Sequence, residues 1–292
     1  NAWLCSWSED IRRSRIQQTV ERKIRLASVP RIPVSVGFLT TVLYVGFIGI
    51  PFVALFVKAG MESNLIDAIL DKTVYTAIRL SLVTSIIAVI VVLLIGTPFA
   101  YFIARVNFRG KYLVSALIEL PIILPPVVSG VAMLMAFGRN GLIGSWLDEI
   151  GINIPFTMTA VIFAQLFVSA PFYIRAARSG FESVDIAFEQ LSLTSGKSPM
   201  DTFRLVSLPL AFPSLVGGIV LAWARAISEF GATIMFAGNF IGQTQTMPLA
   251  IMSTMETDLS RSLILAVVLV AMSLIVLIGL SFLTRSRMVG GE

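Results

Sequence analysis

The dominant pattern along the chain is six long apolar stretches separated by shorter polar segments. Three of the stretches carry no charged residue, namely 33–57, 80–103 and 262–284. The other three are 112–137, which contains Glu119, the uncharged 156–174, and 208–237, which contains Arg225 and Glu229. Because a helix needs about 20 mostly apolar residues to cross the hydrocarbon core of a bilayer, the pattern predicts six membrane-spanning helices.

The composition agrees with a membrane protein. Of the 292 residues, 56% are hydrophobic and 13% are charged, whereas soluble domains carry about 25% charged residues. Surface that faces lipid needs no charged coat, and helices satisfy their own backbone hydrogen bonds there. We therefore expect an all-α integral membrane fold. Its six membrane-spanning helices would form one domain, 33–284, between a basic tail, 1–32, and a short tail, 285–292.

The positions of lysine and arginine predict the orientation. The tail 1–32, the segments 104–111 and 175–207 and the tail 285–292 together hold most of the 22 basic residues. Since basic residues are enriched on the cytoplasmic side, we expect both termini in the cytoplasm, in a multi-pass protein of the plasma membrane. This topology accounts for the net charge of +5, so we expect no nucleic-acid partner. Residues 8–27 fit either an amphipathic helix on the anionic inner leaflet or a solvated basic stop.

Several kinds of chemistry are excluded by residue type. The chain has no histidine and one cysteine, which removes histidine acid–base catalysis and clusters of histidine or cysteine around a metal. Gly196, Lys197 and Ser198 imitate the end of a phosphate-binding loop, but Leu191 stands where that motif requires its first glycine. We therefore expect no catalytic residue, no metal and no cofactor bound by this chain.

The long polar segment 175–207 predicts a helix, a glycine turn and a second short helix. Phe181, Val184, Phe188 and Leu191 are spaced three or four apart, as on one helix face, and Gly196 interrupts them. Ser198 followed by Pro199 is typical of a helix start. Such a segment is either a docking element for a groove on another protein or a linker.

Prolines and charges mark two of the apolar stretches. Pro121, Pro125 and Pro126 each lack a backbone donor and predict a kink in 112–137, which suits either a pathway-lining helix or kinked packing alone. Arg225 and Glu229 are four residues apart and share a helix face. Charges inside a membrane are normally paired, so Arg225 is expected to pair with Glu229 or with Glu119, in a structural pair or in a gate.

The side of the membrane opposite the basic loops carries a polar segment and several acids. Residues 239–248 are rich in amides and hydroxyls, which would either donate weak hydrogen bonds to a passing solute or form an ordinary polar loop. The acids there would either dock another protein or form a solvated rim: Asp67, Asp71, Asp148, Glu149, Glu256 and Asp258.

Three sequence strings carry a family resemblance. FEQLSLTSGKSP at 188–199, followed by Leu208-Pro209, resembles the EAA loop of ABC importer permeases, although Leu191 and Ser192 stand where the family usually has alanines. ELPIILPPVVSG with FGRNGLIG, at 119–130 and 137–144, and ARAISEFGATIMFAGN at 224–239 resemble the molybdate/tungstate permeases. Sulfate permeases share much of this pattern, so a sulfate or thiosulfate permease stays an alternative. A stand-alone secondary transporter is a further alternative.

The resemblance implies a mechanism and a set of partners. Two copies of the chain would form a pore for molybdate or tungstate, two ATP-binding cassette subunits would bind ATP and Mg²⁺, and a periplasmic or extracellular protein would deliver the oxyanion. The residues implied to couple to the ATPase are Glu189, Gly196, Lys197, Ser198, Pro199, Met200 and Asp201. The residues expected in the pathway or gate are Pro125, Pro126, Ser129, Arg225, Glu229 and Thr233.

Overall fold

A computed structural model describes residues 34–62 and 70–289, and the regular structure in these ranges is helical. The helices are α1 Val34–Gly60, α2 Lys72–Arg105, α3 Lys111–Ile123, α4 Pro126–Phe137, α5 Gly144–Glu149, α6 Met158–Ser183, α7 Ile186–Thr194, α8 Pro199–Thr202, α9 Leu208–Ile227, α10 Gly231–Ala237, α11 Met247–Thr254 and α12 Leu259–Val289. A π-helical turn, Phe203–Ser207, joins α8 to α9. The basic tail 1–32 and Asp67 lie outside the described residues.

Five described helical stretches are long and apolar enough to cross a membrane, and a sixth results if the bent pair α3 and α4 is one span. The all-α architecture expected from the sequence is therefore confirmed, and it contains five or six candidate membrane spans. The chain divides into two units, Asn1–Ala54 and Leu55–Glu292. The described part of the first unit is helical, and its apolar side chains are largely exposed, as in Phe38 and Phe47. Such exposure is typical of a surface that faces lipid.

The main core of the second unit lies between α2, α6 and α9. Tyr173 and Phe181 of α6 are fully buried there with Ala100 and Leu215. A Cβ on Gly180 would come within 2.5 Å of the Ser214 Cβ, so the backbones of α6 and α9 approach closely. Small residues allow this kind of contact between membrane helices, whose association depends on close packing.

Two further cores organise the remaining helices. Met133 of α4, Val161 and Val168 of α6, and Ala232 and Phe236 of α10 form one. The other contains buried residues of α2, α9, α11 and α12: Val74, Ala77, Ile227, Met247, Ala250, Ile264 and Leu265. Helix α6 contributes to two of the three cores, so it is the central helix of this unit.

Two of the expected spans are broken. The stretch 112–137 forms α3 and α4, which meet at an angle of 117°, far more than a kink. Pro125 precedes α4 and Pro126 is its first residue, so the two missing backbone donors fall where a helix start leaves donors unpaired in any case. The stretch 208–237 forms α9 and α10, with residues 228–230 between them.

Several predicted boundaries also shift. Helix α6 continues beyond residue 174 to Ser183, so Arg175 and Arg178 lie on a helix and not in a loop. The predicted single helix face over 181–191 is wrong, because Asp185 caps a new helix at this point. Phe181 and Val184 are buried, whereas Phe188 and Leu191 are exposed. Helix α12 runs to Val289, so residues 285–289 of the expected C-terminal tail are helical.

Candidate functional site

The helix, glycine turn and short helix predicted after residue 185 are present. Gly196 has a φ of +83°, and its N–H donates to the Leu193 carbonyl at 3.0 Å, which ends α7 in a left-handed turn. The Ser198 hydroxyl accepts from the Asp201 N–H at 3.1 Å and donates to Oδ2 of Asp201 at 2.7 Å. Pro199 follows as the first residue of α8. We call residues 185–202 the α7–α8 segment.

Glu189 fixes this segment to the membrane helices. Its Oε1 accepts from the Arg105 guanidinium at 2.8 Å and from the Ser207 hydroxyl at 2.6 Å. The same guanidinium donates to the Val184 carbonyl at 3.0 Å. The side chains of Arg105 and Glu189 are 12% and 10% exposed. The resemblance implied that Glu189 contacts an ATPase, but in this structure the carboxylate faces inward and braces α7 against the end of α2.

A second bond joins the two short helices to each other. The hydroxyls of Ser192 and Thr202 share a hydrogen bond of 2.9 Å, and Thr202 is buried. Ser192 is one of the two positions that depart from the alanines of the EAA loop. Its hydroxyl therefore has a structural role, since it holds α7 against α8.

The outward face of the α7–α8 segment is apolar with charges among the apolar side chains. Phe188, Leu191 and Met200 are 56%, 66% and 56% exposed, and Lys197 and Asp201 are exposed beside them. Exposed apolar patches of this kind mark contact surfaces. The implied coupling residues Gly196, Lys197, Ser198, Pro199, Met200 and Asp201 all lie on this exposed part.

The charged pair of the fifth apolar stretch lies at the break between α9 and α10. A guanidinium nitrogen of Arg225 is 2.6 Å from Oε2 of Glu229, and Oε1 of Glu229 accepts from the Ala232 N–H at 2.7 Å. Glu229 is 1% exposed. Of the two partners expected for Arg225, the structure shows Glu229, because Glu119 instead pairs with Arg175 at 2.5 Å. Glu229 thus joins the end of α9 to the start of α10.

Helices α4 and α10 meet backbone to backbone. A Cβ on Gly130 would lie 2.8 Å from the Ala232 carbonyl oxygen, and one on Gly231 would lie 2.8 Å from Cβ of Pro126. The neighbouring hydroxyls of Ser129 and Thr233 are fully buried. The structure therefore brings Pro126, Ser129, Glu229 and Thr233 of the expected pathway set around one contact, with Pro125 at the adjoining end of α4.

Sequence reasoning missed Arg105, Ser207 and Gln165. Arg105 and Ser207 bind Glu189, and Gln165 is fully buried on α6. A signal for Gln165 was present, because it is the sole amide in the uncharged stretch 156–174 and polar side chains inside membranes are commonly functional. Arg105 and Ser207 carried no comparable signal, since each is far from Glu189 in sequence.

The polar segment 239–248 is largely folded into the protein. Thr244, Gln245 and Thr246 are buried. Thr244 Oγ1 accepts from the Phe240 N–H at 3.0 Å, and the Met247 N–H donates to Ser81 Oγ at 2.7 Å. These contacts favour an ordinary structural loop over an open row of oxyanion contacts.

Several of the acids expected on the side of the membrane opposite the basic loops form ion pairs within the chain. Arg139 pairs with Asp148, and Arg261 pairs with both Asp71 and Asp258. Burial raises the pKa of the Asp71 carboxyl, but hydrogen bonds from Thr73 and Val74 and the charge of Arg261 outweigh burial, so this pKa lies below its usual value. Within residues 34–62 and 70–289, no group of three or more histidine, cysteine or carboxylate residues is arranged to hold a metal ion.

A family model and a curated relative both describe membrane components of transport systems. The model of the family "binding-protein-dependent transport system inner membrane component" matches residues 96–287. The probable transport system permease protein NifC of Clostridium pasteurianum is 39% identical over 258 residues, covering 87% of this chain and 89% of that protein.

Two further relatives carry names that refer to a substrate. The molybdenum transport system permease protein ModB of Escherichia coli strain K12 is 37% identical over 225 residues, covering 75% of this chain and 98% of that protein. The molybdate/tungstate transport system permease protein WtpB of Thermococcus kodakarensis is 35% identical over 244 residues, covering 83% and 92%.

A solved structure shares the fold. A chain of a bacterial ABC transporter that imports the acidic polysaccharide alginate superposes with a TM-score of 0.68, over 93% of this chain and 99% of that chain. Its sequence identity is 13%, so this likeness concerns the helical architecture alone.

Proposed function

The chain belongs to the family of inner-membrane components of binding-protein-dependent transport systems, the permease subunits of ABC importers, and from this premise we propose that it moves molybdate or tungstate into the cell. The proposed substrate depends on one observation, which is that most of the chain is similar to permeases named for molybdenum and for molybdate/tungstate. Permeases of this family are not themselves ATPases, because the ATPase is a separate subunit.

The α7–α8 segment is the proposed contact with that ATPase. Its exposed apolar side chains, Phe188, Leu191 and Met200, suit a groove on a partner that receives a short helix. Gly196, Lys197, Ser198, Pro199 and Asp201 form the turn and the second helix of the same surface. Glu189 supports this surface from inside, through Arg105 and Ser207.

The contacts of Glu189 with Arg105 and Ser207 give a route by which movement of the α7–α8 segment reaches the membrane helices. Arg105 is the last residue of α2, and α8 passes into α9 through the π-helical turn. A partner that displaces the α7–α8 segment therefore pulls on α2 and α9 together. Because buried charge pairs resist separation, the segment and these helix ends are expected to move as one body.

The contact between α4 and α10 is the proposed gate. Each helix follows a break, at residues 124–125 and 228–230 respectively, and breaks of this kind provide hinges. In the described conformation Gly130 and Ala232 pack too closely to leave a passage. Pro125, Pro126, Ser129, Arg225, Glu229 and Thr233 surround this contact or its hinges, and alternating access would separate α4 from α10.

The proposed assembly has two copies of this chain, two ATPase subunits and one oxyanion-binding protein outside the cell, with both termini of the permease in the cytoplasm. One α7–α8 segment per chain matches one ATPase per chain, and a two-fold arrangement closes a pore with the fewest different contacts. ATP and Mg²⁺ would bind the ATPase, and no cofactor is proposed for the permease.

The test is oxyanion uptake into proteoliposomes that hold the permease, its ATPase and its binding protein. We expect uptake of labelled molybdate and tungstate that requires ATP and all three components. A preference for sulfate would contradict the proposed substrate while leaving the class of transporter intact. Uptake by the permease alone, without ATP, would contradict the ABC mechanism and favour a secondary transporter.

A further inference from the structure

Three buried polar side chains around the junction of α4, α6 and α10 have hydrogen-bonding atoms without partners. Ser129, Gln165 and Thr233 are each 0% exposed. Within residues 34–62 and 70–289, the two hydroxyls and both amide atoms of Gln165 make no hydrogen bond. Buried polar groups are almost always satisfied in native proteins, so three adjacent exceptions indicate groups that find their partners in another state of the protein.

The packing places all three side chains at one junction. Val161 and Val168, four residues before and three residues after Gln165, both belong to the core that contains Ala232 and Phe236 of α10. Gln165 therefore lies on the face of α6 that is turned toward this core. Gly130, next to Ser129, packs against Ala232, next to Thr233.

Helix contacts place this junction near the middle of the bundle. Thr97 of α2 and Tyr173 of α6 share a hydrogen bond of 2.5 Å. Two helical turns before that point, Gln165 is level with Val89, midway along Lys72–Arg105. Since each residue advances a helix by about 1.5 Å, Val89 is about 24–26 Å from each end of α2. The junction is therefore level with the middle of a helix that is long enough to cross a membrane.

We propose that Ser129, Gln165 and Thr233 form a transient binding site for a tetrahedral oxyanion at mid-membrane, which is closed in the described conformation and opens when α4 separates from α10. This inference rests on the proposed function and names the residues that contact its substrate. Two hydroxyls and one carboxamide NH₂ group supply up to four O–H and N–H donors to the oxygens of such an anion.

Neutral donors suit passage better than cations do. A transport path needs contacts that compensate for lost water without trapping the ion. The nearby Arg225 is paired with Glu229 at 2.6 Å, so its charge is balanced and does not hold the anion. The donors at the junction then recognise the oxygens of the anion, and the dianion leaves as easily as it enters.

The test compares variants of the complete transporter, reconstituted with its ATPase and binding protein. Gln165→Leu removes the amide at nearly constant volume, and we expect molybdate uptake to fall at least tenfold. Gln165→Glu keeps the shape but replaces the donor by a carboxylate, and should abolish uptake. Thr233→Val and Ser129→Ala each remove one donor, with an expected loss of threefold to tenfold.

Two matched substitutions serve as controls. Thr84 and Ser85 of α2 are also 0% exposed, but their hydroxyls already donate to the carbonyls of Leu80 and Leu82. Thr84→Val and Ser85→Ala therefore repeat the chemical changes outside the proposed site. We expect both variants to keep at least half of the wild-type uptake.

Thermal stability separates a binding role from a structural one. Because the amide of Gln165 has no partner, Gln165→Leu should melt at the wild-type temperature or above it while uptake is lost. A lower melting temperature with a proportionate loss of uptake would overturn the inference, as would wild-type uptake in Gln165→Leu. Absence of oxyanion uptake by the wild-type transporter would instead overturn the proposed function.

Discussion

Arg105 and Glu189 are 84 residues apart in sequence and form a nearly buried ion pair, with a guanidinium nitrogen 2.8 Å from Oε1. The pair connects the end of α2 to α7, and Ser207 adds the start of α9 through a hydrogen bond of 2.6 Å. The exposed face of the α7–α8 segment is therefore positioned by side chains that are themselves almost completely buried. This arrangement separates the residues that would bind the ATPase from those that would transmit its movement.

The first prediction concerns this pair. Glu189→Lys places a cation against Arg105, and breaking a buried pair in this way costs about 3–5 kcal/mol. We expect the spans to stay folded and ATP hydrolysis to continue with little or no uptake, measured as oxyanion imported per ATP hydrolysed. Glu189→Gln can still accept the hydrogen bond from Ser207, so this variant should keep more of the coupled uptake than Glu189→Lys.

A surface pair provides the control. Glu182 pairs with Arg178 at 2.8 Å, but its side chain is 43% exposed, so the pair is worth about 0–1 kcal/mol. Glu182→Lys should therefore keep the wild-type ratio of uptake to hydrolysis. Normal coupling in Glu189→Lys would contradict the bracing role of Glu189.

The second prediction concerns the turn at Gly196. Its φ of +83° is unfavourable for other residues, whereas a Cβ there would meet no atom within 4 Å. Gly196→Ala therefore acts through backbone strain alone, about 1–2 kcal/mol, and should weaken binding of the ATPase without unfolding the spans. Gly196→Asn, which tolerates this conformation better, should be milder.

Gly217 is the matched control for this substitution, because it lies inside α9 with no atom within 4 Å of an added Cβ and no positive φ. Gly217→Ala should leave binding unchanged, or raise stability slightly, since alanine favours a helix by about 1 kcal/mol. The measurement is the dissociation constant for binding of the purified ATPase to each purified permease variant. Equal effects at both glycines would argue against a special turn at Gly196.

The third prediction asks whether Arg225 and Glu229 form a structural pair or part of a gate. Glu229→Ala removes the partner of Arg225 and the acceptor of the Ala232 N–H, and should lower stability by about 3–5 kcal/mol. The double variant Arg225→Met with Glu229→Gln leaves no unpaired charge and should regain most of that stability. Uptake that recovers with the stability indicates a structural pair, whereas stable protein with little uptake indicates a gate.

Local signals in the sequence predicted local structure well. The Ser198 cap, the first-turn Pro199 and the turn at Gly196 depend on residues within a few positions of each other, and all three are present. The break at Pro125 was predicted only as a kink, and the break at residues 228–230 was not predicted. Proline predicts a kink, whereas the observed bend between α3 and α4 is 117°. Close contacts of Gly130 and Gly231 join α4 to α10 next to this bend, and these contacts between distant residues gave no local signal.

Contacts between distant residues were not predictable from the pattern. Arg105 with Glu189 and Arg175 with Glu119 are 84 and 56 residues apart, and no periodicity connects their positions. The inward orientation of the Glu189 side chain was not predictable either. The resemblance identifies the residue as important but does not show that its carboxylate binds Arg105 and Ser207. Gln165 became informative once its burial and its lack of partners were known.

The last prediction concerns acid and the start of α2. Oδ1 of Asp71 accepts from the Thr73 N–H at 2.7 Å, and its Oδ2 is 3.1 Å from the Arg261 guanidinium, so ionised Asp71 joins the start of α2 to the start of α12. The pKa of this carboxyl is lowered in the folded protein. Its contribution to stability is therefore complete above the pKa of the unfolded chain and is lost as pH falls through the folded pKa.

Asp71→Asn keeps a side-chain oxygen for the helix cap but removes the charge and its titration. We expect the wild type to melt at a higher temperature than Asp71→Asn at neutral pH, by an amount that stays constant down to about pH 5 and shrinks below about pH 4. Melting in detergent across this range provides the measurement. A difference that is independent of pH would show that the charge of Asp71 does not contribute and that its hydrogen bonds alone stabilise this end of α2.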